Sequence, residues 1–128
     1  MADRRVVSRE EYLSAASKVV KEDVPVPELG EGAVIPVWQM TSRELTQFEL
    51  SNTKANEASI RERYLVAVCK DDNGVALFTS DDIAALARSN VAMIDRVTQV
   101  ARRLNMANAD QMQDAIDDAK KNSGATTA

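Results

Sequence analysis

The sequence predicts a mainly α domain of about five helices with a small two-stranded β ribbon near residues 24–40. Three observations carry this. Two capping boxes each precede a run of apolar residues at helical spacing, at Ser8 and at Thr41. A long apolar stripe follows Ser80. Between the two boxes lies a Pro- and Gly-rich stretch ending in β-branched residues, which suits strands rather than helix. The 128 residues fit one domain. We read 1–105 as that domain and 106–128 as an acidic tail: a short amphipathic helix, then disorder from Lys121.

In Ser8-Arg9-Glu10-Glu11 the hydroxyl can accept from the third helical amide while Glu11 reaches back. Tyr12, Leu13, Ala16, Val19 and Val20 then share a face, and the helix is expected to stop near Lys21. Val24-Pro25-Val26-Pro27 cannot continue it, because proline lacks the amide donor and restricts the residue before it. Val24–Val26 and the run Ala33 to Met40 supply the ribbon. Pro36 places its strand at an edge. Such a ribbon is not stable alone and must lean on helices.

Thr41-Ser42-Arg43-Glu44 starts the next helix, which carries Leu45 and Phe48, and Ser51–Lys54 breaks it. A third helix starts near Asn56, with Ile60, Tyr64, Ala67 and Val68 on one face. Tyr64 to Phe78 has two readings: a hairpin turning at Asn73-Gly74, or a helix ending near Lys70 with that pair as a left-handed turn. We prefer the helix. From Ser80 to Asn105 one stripe runs through Ile83, Leu86, Asn90, Ile94, Val97, Ala101 and Leu104. Ser89-Asn90 interrupts it, which points to two abutting helices. Met112, Ala115, Ile116 and Ala119 repeat the helical spacing in the tail.

Composition excludes a good deal of chemistry. Histidine is absent and Cys69 is the one cysteine, so Ser-His-Asp and Cys-His nucleophile systems, His-containing or multi-Cys zinc sites and internal disulfides are all ruled out. The net charge of -4 weighs against nucleic-acid and membrane-surface binding. A lone cysteine with no signal peptide or apolar span fits the cytoplasm. Cys69 itself reads as a small buried hydrophobe. The carboxylate pairs Glu10/Glu11, Asp71/Asp72, Asp81/Asp82 and Asp117/Asp118 fall mostly at helix ends or in the tail, where solvation and the helix dipole account for them. Around Gly74 a calcium loop would need Cys69 and Ser80 as ligands, which rules it out. We expect no catalytic residues, metal or cofactor.

Two resemblances bear on function. Residues 82–97 resemble the helix-turn-helix of lactose-repressor-type regulators through Ile83, Ala84, Leu86, Ala87, Val91, Ala92, Ile94, Arg96 and Val97. The turn glycine is Arg88, however, an apolar position is Ser89, and the hydroxyl pair of the reading helix is Met93 and Asp95. A carboxylate facing phosphate is repulsive, so this reading is the alternative.

The order of segments over roughly 8–105 resembles the tail assembly chaperones of long-tailed bacteriophages. The matching segments are the N-terminal helix, Pro25-x-Pro27-Glu28-Leu29-Gly30, Val34 to Met40, and the capped helix through Phe48. Arg61 to Cys69, Asp71-x-x-Gly74, Leu77-Phe78 and Asp82-Ile83 through Leu104 complete the match. The resemblance implies a non-enzymatic protein of the host bacterial cytoplasm, absent from the mature virion. Its partners would be the tape-measure protein, which it keeps soluble, and tail-tube subunits, which it helps to recruit. It also implies a longer frameshifted form, and Lys120-Lys121-Asn122 is compatible with an A-rich slippery codon stretch. The surfaces we assign to partner binding are the stripe Met112, Ala115 and Ile116 first, then Trp38 and Met40, although core packing is the simpler account of the last two. Self-association through exposed apolar stripes is a further expectation, with no nucleic acid or membrane partner.

Overall fold

The structure is a computed structural model that describes residues 4–105. Five helices and one antiparallel ribbon make up those residues: α1 (Arg9–Ala16), β1 (Lys21–Pro25), β2 (Val34–Trp38), α2 (Ser42–Ser51), α3 (Ile60–Val68), α4 (Ile83–Ala87) and α5 (Val91–Asn105). The mainly α class with a minor ribbon is therefore the observed one. Short 3-10 turns at Pro27–Leu29, Lys54–Ser59 and Ser80–Asp82 fill the connections.

Both capping boxes form. Ser8 Oγ accepts from the Glu11 amide at 3.1 Å while Glu11 accepts from the Ser8 amide at 3.0 Å. Thr41 and Glu44 repeat the exchange at 3.2 and 2.9 Å. The first helix is shorter than its periodicity predicts. It stops at Ala16 rather than near Lys21, because residues from Lys21 pair with β2 in the register Lys21↔Trp38 to Pro25↔Val34. Ladder pairing thus overrides helical periodicity at the start of the ribbon. The strand predicted at Val24–Val26 begins earlier, at Lys21.

The core sits where α3, α5 and the inner face of the ribbon meet. Val24 and Val37 from the ribbon, Leu65 and Val68 from α3, and Ile94, Val97 and Ala101 from α5 are all buried. Phe48 of α2 joins through the Tyr64 ring, with centroids 4.8 Å apart and planes tilted by 54°, a favoured aromatic geometry. Arg63 lies over Phe48 and donates to Ser51 Oγ at 2.7 Å and to the Asn56 carbonyl at 3.2 Å. It thereby fixes the break that the sequence places at Ser51–Lys54.

Both readings of Tyr64 to Phe78 hold in part. The helix ends at Val68, slightly before Lys70, and the chain then makes a tight reversal with a Lys70↔Ala76 bridge. Gly74 adopts a positive φ of 81° there. Asp71 accepts from the amides of Asn73 and Val75 at 2.8 and 3.0 Å, which closes the turn. The predicted helix near Asn56 begins as a 3-10 turn and becomes α-helical at Ile60. The stripe after Ser80 divides at Arg88–Asn90 into α4 and α5, as the Ser89-Asn90 interruption indicates.

Candidate functional site

The ribbon and α5 build an open apolar groove. The Val24-Pro25-Val26-Pro27 run leads β1 into the turn Pro27–Leu29, and Gly30 and Gly32, with φ of 114° and 81°, bring the chain back to β2. Only glycine adopts those angles without strain. This turn pushes Leu29 into solvent, 75% exposed. Val26, Val34 and Ile35 continue that wall, and Leu77 and Phe78 stand beside it. Leu86 of α4 and Met93, Ile94 and Val97 of α5 form the rest. The volume is about 520 Å³.

One ion pair braces the groove. Arg96 donates to both Glu28 carboxylate oxygens at 2.9 Å each, and to the Pro25 carbonyl at 3.3 Å. Such two-pronged geometry ties the turn to α5 with a fixed orientation. The guanidinium holds the Glu28 carboxyl down at about 2, and Glu28 in turn raises Arg96.

The lining offers the polar groups of Ser89, Asn90 and Arg96 and otherwise apolar side chains, without a carboxylate or thiol. Burying one large aliphatic side chain in such a surface contributes about 1.5–3 kcal/mol. The groove is therefore suited to taking apolar side chains projected by a partner.

The candidate residues fall in different places. Met40 is buried in the core, so packing and not surface contact accounts for it. Trp38 is half-buried, with its ring N–H donating to the Lys70 carbonyl at 3.3 Å and Lys21 over the ring. Neither lines the groove. Met112, Ala115 and Ile116 lie outside the described residues, as do Asp117/Asp118. Cys69 is buried, and loss of solvent pushes its thiol up to about 12. Glu11 and Asp82 serve as caps and Asp71 closes its turn. Among the described residues no group of three or more acidic or Cys side chains could hold a metal ion. The helix-turn-helix candidate does have two helices joined at Arg88–Asn90. Its Arg96 is engaged by Glu28, and Asp95 accepts from Gln99 at 2.8 Å.

Leu29, Leu77, Phe78 and Met93 were not singled out as binding residues. Two signals were present. Leu29 is the one large apolar residue in Pro27-Glu28-Leu29-Gly30-Glu31-Gly32. Met93 stands where a reading helix would carry a hydroxyl.

The chain matches no family model, no curated protein and no solved structure. No helix of the described residues is long and apolar enough to cross a membrane.

Proposed function

We propose that this chain is a tail assembly chaperone of a long-tailed bacteriophage. It binds the tape-measure protein, keeps it soluble in the host bacterial cytoplasm, helps recruit tail-tube subunits, and is absent from the mature virion. The order of segments over 8–105 supports this reading. The observation that carries it is the apolar groove between the Pro27–Leu29 turn and α5, with Leu29 standing exposed at its rim. A long helical client presents apolar residues at i, i+3 and i+4, and an open groove of this kind accepts them. Binding by burial of surface needs no reactive group.

Co-expression with the tape-measure protein of the same genome tests the proposal. Leu29→Asp combined with Met93→Asp places two carboxylates in the groove and should lower the client's soluble fraction several-fold. Met112→Asp with Ile116→Asp tests the tail stripe in the same assay. A client equally soluble with both double variants and without the chain refutes the chaperone reading.

The order α4, turn, α5 favours a second reading, a small DNA-binding regulator. Engagement of Arg96 by Glu28 weighs against it, since phosphate contacts need free cations. A salt series on duplex DNA separates the two: a regulator loses affinity steeply as salt rises, and a chaperone does not bind.

A further inference from the structure

The most unusual element is α1. It has 8 residues, a complete capping box and no buried side chain. Tyr12 and Leu13 are 65% and 50% exposed, and Val6, Val19 and Val20 on either side of the helix are exposed with them. Helices this short are marginal in water without packing, because nucleation is costly. A capped helix with an uncovered apolar face therefore calls for a surface to lie on.

The groove beside α5 has the matching chemistry. Tyr12, Leu13 and Ala16 stand one and four residues apart, so they share one side of α1. Leu29, Phe78, Leu86 and Met93 offer apolar walls to such a face. An amphipathic helix laid in an apolar groove is a recurring mode of recognition.

Charge agrees. Residues 4–18 carry Arg4, Arg5, Arg9 and Lys18 against Glu10 and Glu11, a net +2. The turns bordering the groove carry Glu28, Glu31, Asp81 and Asp82 against Arg88, with Arg96 answering Glu28, a net -2. Arg4 and Lys18 on the helix side, and Glu31, Asp81 and Asp82 on the groove side, make no ion pair among the described residues.

The tether decides whose groove is filled. The Lys18 amide still donates to the Ala15 carbonyl in the last turn of α1. Val20 is fixed to Gln39 by two bonds, from the Gln39 amide to its carbonyl at 2.8 Å and from its own amide to Gln39 Oε1 at 3.1 Å. Val19 alone is free between them, so α1 is held at the Lys21 end of the ribbon. The groove starts at Pro25, five residues on, or about 17 Å along the strand. Two extended steps from Val20 to Lys18 and five helical ones to Leu13 span about 15 Å together. Turned back along β1, the helix would fall short of its own groove.

We propose that α1 of a second copy of this chain docks in the groove, with Tyr12 and Leu13 against Leu29 and Met93 and the basic arm against the acidic turns. The docked helix takes the place where the chaperone reading seats a client, so client and second copy exclude each other. The proposal rests on the groove of that reading and not on its client.

Cross-linking and sedimentation of the full chain test it. Native Cys69 stays in place, since it is buried. A chain carrying Leu13→Cys, mixed with one carrying Met93→Cys and oxidised, should give mainly the mixed disulfide by peptide mass mapping. Ser14→Cys in place of Leu13→Cys turns the thiol away from the apolar face and should give at least fivefold less. Sedimentation of the parent should show association that rises with concentration, and Leu13→Asp, at an exposed position, should abolish it. A parent that stays monomeric into the sub-millimolar range, equal yields from the two cysteine pairs, a Leu13→Cys homodimer in excess of the mixed product, or association that survives Leu13→Asp overturns the proposal. A monomeric parent that keeps the client soluble overturns this proposal alone; an associating parent that leaves the client insoluble supports it and overturns the chaperone reading.

Discussion

Gln39 offers the sharpest test of how the domain is held together. Its amide is oriented by chemistry: the Val20 N–H needs an acceptor and the Leu104 carbonyl needs a donor, so Oε1 and Nε2 have one consistent arrangement. Gln39→Ala removes both side-chain bonds. At about 1 kcal/mol each, and with water able to replace part of a half-buried pair, the loss should be about 1–2 kcal/mol. With a urea slope near 1.5 kcal/mol per molar the midpoint falls by about 1 M. Gln39→Glu is more informative. It keeps the acceptor for Val20 but sets a carboxylate oxygen against the Leu104 carbonyl. The folded state then favours the protonated form, so the carboxyl is raised in the fold above the ~4.3 of a free glutamate. Stability is retained below that value and lost as pH rises through the raised folded one. Urea titrations followed by circular dichroism at pH 4 and pH 7 read this directly. An unchanged midpoint in the alanine variant, or equal stability of the glutamate variant and the parent at pH 7, would refute the assignment.

Three further outcomes follow from buried and paired groups. Tyr64 Oη is buried without a hydrogen-bond partner among the described residues, so Tyr64→Phe should leave stability unchanged or raise it by up to about 1 kcal/mol, read from the urea midpoint; a clear loss would show a missing partner. The Glu28–Arg96 clasp is formed fully above the ordinary glutamate range and is lost as pH falls from about 4.5 towards about 2. Glu28→Gln should therefore flatten the acid limb of the stability profile, and an unchanged limb refutes the link. Cys69 should resist alkylation in the native state and react once urea unfolds the chain; rapid native labelling with a maleimide would contradict its burial.

The fold class was legible because its signals are local. The boxes at Ser8 and Thr41, the breakers at Pro25 and Pro27, and the stripe from Ile83 to Leu104 each act within a few residues. The errors fall where a distant segment decides. Val19 and Val20 fit the helical period of α1, but β2 draws the chain straight from Lys21. Met40 is a second-choice partner contact whose simpler account is core packing, and the core does enclose it, with its amide donating to Asn105 in the last turn of α5. The groove was hidden for the same reason. Leu29, Leu77 and Met93 are far apart in sequence and come together only when the Pro27–Leu29 turn is clasped to α5. Spacing cannot report a surface assembled from segments so far apart in the chain.

The ribbon has a consequence for colloidal behaviour. A two-stranded sheet presents two free edges on which foreign strands could grow into fibrils. Here Pro36 and Pro25 lack the amide a newcomer would need. Val37 is already bridged to Cys69, and Lys21, Glu22 and Asp23 line the first strand with charge. A foreign strand would therefore find few free donors on this ribbon and a charged first strand, which disfavours cross-β growth from it.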